Sequence, residues 1–261
     1  MTNSQELQNT EYVQAVSGSP LPPPPKNYTG EKLPSLSAFM PAHNEEPNIR
    51  WVTEDALLKL RMVTDDLELI IVNDGSADKT GEIIDRLALE YPEVVAKHHE
   101  VNRGYGAALK TGFSSCSKEY IFYTDGDGQF DTAEIALLIP LLKEGDVVSA
   151  YRIDRKDPWN RILNAWIYNT FLLIFFRLNV RDVDCAFKLY KAKFFDTVQL
   201  KSDGALIDAE VLIKLKKAGA RIVQVGVHHF PRLVGVQTGS KLKVIIKTAK
   251  EILANWRDLV P

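Results

Sequence analysis

Tyr120-Ile121-Phe122-Tyr123-Thr124-Asp125-Gly126-Asp127-Gly128-Gln129-Phe130-Asp131 is the stretch whose reading decides the fold. A short apolar run that breaks abruptly into Asp-x-Asp reads as a buried strand carrying two carboxylates to its C-terminal edge. Open α/β sheets take their ligands at that edge, outside the carboxyl ends of the strands. Asp125 and Asp127, with the amide of Gln129, make a hard, oxygen-rich cluster suited to Mg²⁺ or Mn²⁺ held against a diphosphate. Gly126 and Gly128 let backbone and ligand approach each other closely. Asp131-Thr132-Ala133-Glu134 has the spacing of a capping box that opens the next helix. Alone, Asp-x-Asp is the signature of many turns and solvated surfaces; the apolar strand before it favours a site.

Upstream, the same pattern of strand, loop and helix repeats. Leu36 to Met40 is a short apolar strand with the exit loop Pro41-Ala42-His43-Asn44-Glu45-Glu46, and Pro47 suits the first turn of the following helix. Leu67 to Val72 is an Ile/Val-rich strand ending in Asn73-Asp74-Gly75-Ser76-Ala77-Asp78, and a helix follows from about Thr80 to Tyr91. Val94 to Lys97 reads as a third strand, followed by Asn102-Arg103-Gly104-Tyr105-Gly106 and a helix to about Ser115. Asp146 to Ala150 reads as a fifth strand after the one that carries Asp125. Continuous apolar strands alternating with helices predict a mostly parallel, Rossmann-like α/β sheet covered on both faces. Three strand ends then bring Asn44 and Glu45, Asp74, and Asp125 and Asp127 to one crevice. Each loop is also ordinary turn chemistry, since Asn, Asp and Gly favour turns; their convergence favours a nucleotide site.

The bulk properties exclude some classes. At 261 residues, 45% hydrophobic and 25% charged, the chain is long enough for one large α/β domain or two small ones. A formal net charge of −2 points to no nucleic-acid partner. Cys116 and Cys185 lack partners at metal-ligand spacing and read as reduced thiols. The polar N-terminus has no apolar h-region of a signal peptide. Residues 1–34, with Pro20 and Pro22 to Pro25, read as a disordered proline-rich tail.

Taken together, these motifs resemble inverting family 2 glycosyltransferases of the GT-A fold, nearest in appearance to dolichyl-phosphate mannosyltransferases and bacterial polyprenyl-phosphate glucosyltransferases. The resemblance runs from about Leu36 to Lys243. It is carried by Pro41-Ala42-His43-Asn44-Glu45, Val72-Asn73-Asp74-Gly75-Ser76, Asn102-Arg103-Gly104-Tyr105-Gly106, Asp125-Gly126-Asp127-Gly128-Gln129 and Arg181-Asp182-Val183-Asp184-Cys185-Ala186-Phe187-Lys188. It implies that Pro41, Ala42, Asn44 and Glu45 line a nucleotide pocket and that Asp74 contacts the base. It implies that the loop with Asn102, Gly104 and Gly106 closes beside the nucleoside. Asp125 and Asp127, with Gln129, would hold the metal and donor diphosphate. Departures are Asn73 for the usual Asp, and Ala186 and Lys188 for the usual Gly and Arg. Lys188 keeps a charge but loses the bidentate fork that grips phosphate.

The second half bears on the acceptor. Ile162 to Phe176 carries no charge, yet it is shorter than the about 17–25 residues of a membrane span. It reads either as a core helix or as an aromatic-rich helix at a bilayer interface or a subunit interface. Arg232 to Lys250 holds Lys241, Lys243 and Lys247 among Leu, Val and Ile, so residues 231–261 read as a basic amphipathic segment or a solvated face, beyond a transferase domain over 35–230. A phosphate acceptor needs no strong base but does need cations, and Arg152, Arg161 and Arg232 are the candidates, by correspondence with the family. A hydroxyl acceptor needs a general base, and Asp208 or Glu210 falls where hydroxyl-using relatives place one. His98/His99 and His228/His229 read as structural, because neighbours on a strand point to opposite faces. His43, in the first exit loop, is expected to contribute through its backbone only.

The expectation is a metal-dependent (Mg²⁺ or Mn²⁺) hexosyltransferase. It would move a hexose from UDP-glucose or GDP-mannose to a polyprenyl or dolichyl phosphate, peripherally at the cytoplasmic face of a membrane, as a homo-oligomer or with a membrane partner subunit. The same fold acting on a hydroxyl acceptor, a nucleotidyltransferase and a non-catalytic nucleotide-sugar binder are the rivals. The lack of a glycine-rich loop near the N-terminus argues against the second, and the intact Asp125/Asp127 pair against the third.

Overall fold

The computed structural model describes residues 30–153, 159–231 and 242–260, with side chains except at 159–165, 242–247 and 249. Seven strands form one sheet in the order β3-β2-β1-β4-β6-β5-β7. They are β1 (Leu36–Ala42), β2 (Leu67–Asp74), β3 (Val94–His99), β4 (Tyr120–Thr124), β5 (Val147–Ile153), β6 (Phe187–Lys191) and β7 (Ile222–His228). Every pairing is parallel except those of β6, which runs antiparallel to both β4 and β5. The helices are α1 (Ile49–Val63), α2 (Thr80–Glu90), α3 (Tyr105–Ser115), α4 (Trp159–Phe176), α5 (Ile207–Lys217) and α6 (Leu242–Leu259), with shorter helical turns over 132–143 and 192–197.

Burial explains the central strands. Leu69, Ile70, Ile71 and Val72 of β2 are all buried, as are Phe39 and Met40 of β1 and Phe122 and Tyr123 of β4. Successive residues of a strand face opposite sides of the sheet, so such runs require cover on both. On one face Phe39 stacks on Tyr123 at 5.1 Å and meets Phe113 of α3 at 4.7 Å. On the other, Phe122 meets Phe187 at 4.8 Å.

β1 lies between β2 and β4, so the strand order reverses there. The crevice outside the ends of β1 and β4 is therefore the switch point where an open sheet binds ligands. β6 adds a second consequence. Thr124 pairs with Phe187, so the loop Arg181–Ala186 arrives at the same edge that Asp125 leaves.

Three local expectations change. Pro47 sits in the turn before the helix rather than in its first turn, since α1 starts at Ile49. The capping box is half made: the Asp131 side chain accepts from Ala133 N at 3.0 Å, but Glu134 turns to His228 N at 2.8 Å. The tail ends slightly before 34, because Leu33 is buried and its amide donates to Val63 O at 2.8 Å. Residues 1–29 lie outside the described residues. In the C-terminal segment, α6 docks on the domain: Ile252 and Leu259 are buried, and Trp256 meets Phe176 of α4 at 5.3 Å.

Candidate active site

The three loops at the left half of the crevice are stitched together by side chains. Asn44, a non-glycine residue at φ 57, puts its Oδ1 on Ala77 N at 2.9 Å, and its own amide on Ser76 Oγ at 3.0 Å. Asparagine tolerates that left-handed conformation better than most residues. The His43 imidazole stands between the Asp74 carbonyl (2.9 Å), Asn44 Nδ2 (3.1 Å) and Asn102 Nδ2 (3.1 Å). Its ring, and not the backbone alone, therefore takes part in the site. Glu45 is buried and accepts from Asn48 Nδ2 at 2.8 Å, while its amide donates to Thr80 Oγ1 at 2.8 Å. Gly75 closes the stitching: at φ +61, a Cβ there would fall 2.3 Å from the Asn102 nitrogen. Pro41 and Ala42 end β1 beside Asn73, partner of Ala42.

Asp74 is buried and aimed into this framework. Its Oδ1 accepts from His99 Nδ1 at 2.6 Å and Arg103 N at 2.9 Å, and its Oδ2 from Gly104 N at 2.9 Å. The carboxylate expected to meet a base thus holds the 102–106 loop in place, and most of its accepting capacity is committed. His99 completes the clamp through Thr111 Oγ1 at 2.9 Å. His98 bonds Asn73 and Asp85 instead, so the pair divides between two faces as the strand period requires. At the far side of the loop, Gly106 N donates to Asp203 O at 3.1 Å.

Asp125 and Asp127 leave β4 at the switch point. Burial raises Asp125 well above the usual carboxylate range, and the charges of Asp127 and Asp208 add to the effect. Lys188 and Arg152 offset it only in part. A divalent cation would relieve that unbalanced charge, and two hard oxygens one residue apart fit one. Among the described residues no group of three or more His, Cys, Asp or Glu side chains converges on a metal position. The rest of the shell would fall to phosphate oxygens and water. Gln129 bonds through two other atoms: its Nε2 donates to Phe230 O at 2.9 Å and its backbone carbonyl accepts from Phe230 N at 2.8 Å, and the side-chain Oε1, the atom a metal would take, is in neither bond. It ties the Asp125–Gln129 loop to the exit of β7. Gly128, at φ +74, lies where a Cβ would strike the Trp51 ring at 2.3 Å.

The right half of the crevice holds two buried ion pairs. Arg152 grips Asp182 with both ends of its fork, Nε to Oδ2 at 2.7 Å and a terminal nitrogen to Oδ1 at 2.8 Å. Lys188, wholly buried, reaches Asp208 Oδ1 at 2.9 Å and the Cys185 carbonyl at 2.5 Å, 5.5 Å from the centre of the Tyr123 ring. Tyr105 and Tyr123 share a hydroxyl contact above that pair, and burial raises both phenols well above their ordinary value. Glu210 points elsewhere: it accepts from Lys201 N at 2.8 Å, Ser202 N at 2.7 Å and Lys214 Nζ at 2.5 Å. Burial would raise its carboxyl, but those donors outweigh it and hold it below the ordinary value. The Arg161 side chain and Arg232 lie outside the described residues.

Asp184 is the exception among these carboxylates. It is exposed, and no hydrogen bond or ion pair to it is found among the described residues. Desolvation by the surrounding walls, then the charges of Asp208 and Asp182, push it up to about 7, against Lys188 and Arg152. The run Arg181-Asp182-Val183-Asp184 is visible in the sequence, but nothing there separates the committed aspartate from the open one.

Beyond Asp184, α4 shows a bare apolar stripe. Trp166 and Ile174 are 64% and 66% exposed, with Ile167, Leu173 and Phe175 also exposed, while Leu172 and Phe176 are buried against the domain. The inner face of α4 is therefore core, and its outer face is left exposed. Leu253 of α6 is exposed as well. No helix among the described residues is long and apolar enough to cross a membrane.

Comparison with known proteins agrees with this geometry. Residues 37–199 match the family model described as Glycosyl transferase family 2. The chain is 27% identical over 236 residues to glycosyltransferase AglD of Haloferax volcanii, covering 86% of this chain but 37% of that protein. It is 28% identical to a dolichyl-phosphate beta-glucosyltransferase, ALG5A, of Trichomonas vaginalis, over 84% of this chain and 72% of that one. Among solved structures, glucosyl-3-phosphoglycerate synthase of Mycobacterium tuberculosis, crystallised with Mn²⁺, UDP and glucosyl-3-phosphoglycerate, superposes with a TM-score of 0.62 at 16% identity, covering 87% and 81% of the two chains. That likeness establishes the shared GT-A architecture.

Proposed function

The chain belongs to glycosyl transferase family 2, and on that premise we propose that it moves a hexose from UDP-glucose or GDP-mannose to a polyprenyl or dolichyl phosphate. The observation that carries this acceptor is the state of Asp208. A hydroxyl acceptor must lose its proton to a base in the transition state. Asp208 is locked to Lys188 in a buried pair, and Glu210 is spent on three donors of its own surroundings. A phosphate monoester arrives already anionic and asks for neither. The dolichyl-phosphate acceptor in the name of the Trichomonas relative supports the same reading.

In this reading the 41–45, 74–77 and 102–106 loops receive the nucleotide, with Asp74 holding the last of them against it. Asp125 and Asp127 would hold Mg²⁺ or Mn²⁺, and the Mycobacterium enzyme of the same architecture was crystallised with Mn²⁺ and UDP together. A metal bound there supplies Lewis-acid compensation for the charge of the leaving diphosphate. The acceptor oxygen attacks from the opposite face of the sugar, giving a β-linked lipid phosphate sugar. Arg161 and Arg232 would steer the incoming phosphate, while Arg152 fixes Asp182 and with it the 181–186 loop. The stripe of Trp166, Ile167, Leu173 and Ile174, with the basic α6, would rest on the bilayer where the lipid enters. The cytoplasmic face is the proposed side. A second reading is a hydroxyl acceptor, favoured by Asp184, whose carboxylate lies open beside the two ion pairs.

The test supplies Mg²⁺ or Mn²⁺, a short polyprenyl phosphate and each labelled donor in turn, with Asp127→Ala as control. Label in the organic phase from one donor, lost in the variant, is the expected result. Transfer confined to a hydroxyl acceptor would replace this reading by the second.

A further inference from the structure

No acidic residue occurs between Trp159 and Arg181, a stretch that carries Arg161, Arg177 and Arg181. This stretch builds α4 and the turn after it, so the bare apolar stripe has cations at its border and no anions of its own. Arg177, at φ 52, follows the last residue of the helix, and its carbonyl accepts from Lys216 Nζ of α5. Arg181 is held at the flank of the stripe. Its carbonyl accepts from Asn169 Nδ2 at 2.8 Å, and its guanidinium lies over the Tyr151 ring at 4.7 Å. Asn169 stands one turn from Trp166 and one from Leu173, both exposed. α6 continues the pattern, since Phe175 meets Trp256 at 5.7 Å and sets that helix beside the end of α4. On α6 the exposed Leu253 lies one turn from Lys250 and one from Arg257, which are exposed as well. Asp258, the next acid in the chain, turns to Lys201. Among the described residues, none of Arg177, Arg181, Lys216, Lys250 and Arg257 forms an ion pair with a carboxylate.

We propose that this face docks on the anionic surface of a bilayer, with the five cations on lipid phosphates and the apolar stripe below the headgroups. The inference rests on the bilayer placement above and adds the charge of the lipid to it. The border decides between the two occupants that an apolar face can have. A second copy joined through the same patch by two-fold symmetry would set one cationic border against the other, and like charges repel. An anionic leaflet attracts them instead, each basic residue near its surface being worth about fivefold in binding. That attraction fades within a Debye length of about 8–10 Å, so salt weakens it and leaves the apolar contact in place. The whole-chain charge of −2 does not oppose docking, because at that range the local border outweighs the distant remainder.

The full chain is sedimented with vesicles of phosphatidylcholine alone and with vesicles rich in phosphatidylglycerol. The expected result is binding at least about tenfold tighter to the anionic vesicles, a gap that closes at about 1 M salt, where the Debye length is about 3 Å. Arg177→Gln with Arg181→Gln should lower binding to anionic vesicles about twentyfold and leave binding to neutral ones unchanged. Lys250→Gln with Arg257→Gln is an independent pair on α6 with the same expectation. Arg86→Gln with Lys97→Gln removes as much charge at the opposite, β3 edge of the sheet and should cost less than about twofold. Thermal unfolding of each variant is followed alongside, so that a loss of fold is not read as a loss of docking. Equal losses in all three pairs would make net charge the cause and overturn the proposal. Equal binding to both vesicle types overturns it too; if that binding is lost in Trp166→Ser with Ile174→Ser, the bilayer placement stands without it. No binding to either vesicle removes both. A dimer that forms through this face and tightens with salt gives the face to a second copy and overturns the proposal. Label transfer to a short prenyl phosphate in solution tests the acceptor reading apart from all of these.

Discussion

Lys188 Nζ lies 2.9 Å from Asp208 Oδ1, with the lysine at zero exposure and a further bond to the Cys185 carbonyl. Such a pair is sound while both members remain; removal of one strands a charge in a place that cannot hydrate it. Lys188→Met should therefore cost about 3–5 kcal/mol. Lys188→Met with Asp208→Asn should recover much of that loss, because the stranded charge is gone. Urea unfolding of the two variants checks the order, and a double variant no more stable than the single one would break the argument.

Asp74 predicts a local rather than global effect. Asp74→Asn keeps the volume but replaces two acceptor oxygens with one, so the bonds to His99, Arg103 N and Gly104 N cannot all survive. The loss per unsatisfied group is about 1–3 kcal/mol. Amide exchange at Arg103 and Gly104 should accelerate in the ligand-free protein, and nucleotide-sugar affinity should fall about tenfold. Unchanged exchange alongside weakened nucleotide binding would return Asp74 to a direct base contact.

The pH dependence of stability has a definite sign. Asp184 holds its proton up to about 7 in the folded chain, against about 3.9 for an ordinary aspartate. Its contribution is complete below the lower value and is lost as pH climbs through the upper one. Relative to the wild type, Asp184→Asn should thus gain in Tm between about pH 4 and about pH 8 and level off above. A constant difference in Tm across that range would show that Asp184 titrates normally.

The α4 stripe predicts lipid binding. Trp166 and Ile174 offer the greatest exposed apolar surface on that helix, and Trp166→Ser with Ile174→Ser removes it without touching the buried Leu172 or Phe176. Co-sedimentation with anionic vesicles should fall about tenfold or more while thermal stability holds. If sedimentation is unaffected but a dimer seen by light scattering dissociates, the stripe is a subunit interface.

Most of the donor half is legible directly from residues, because buried parallel strands announce themselves as apolar runs that stop at Asn, Asp and Gly. Leu67 to Val72 and Tyr120 to Thr124 lie where the pattern places them, and so do the loops they feed. The strand Phe187–Lys191 is harder. Phe-Lys-Leu-Tyr-Lys mimics a half-solvated strand, yet Lys188 faces inward to a carboxylate 20 positions along the chain. Asp74 misleads in a similar way: its partners Arg103 and Gly104 lie in another loop, and no local spacing signals a carboxylate that serves backbone amides. Gln129 also ties its loop to Phe230, 101 positions along the chain, which its place beside Asp127 does not signal. Long-range pairing, not local propensity, sets these roles.

The reversed direction of β6 has a consequence for how the molecule could be altered. Five strands deliver their C-terminal ends to the edge that β4 also reaches, but β6 delivers its beginning. The stretch from Trp159 to Lys191 therefore returns to the crevice through the 181–186 loop and leaves it again as β6, held between β4 and β5. Its ion pairs reach outside it, Asp182 to Arg152 and Lys188 to Asp208, so an exchange must carry those partners with it. A different acceptor could be accommodated by exchanging that one insert while the nucleotide framework of β1 to β4 stays as it is. Transplanting it between two transferases of this architecture should carry acceptor choice with it and leave donor choice behind.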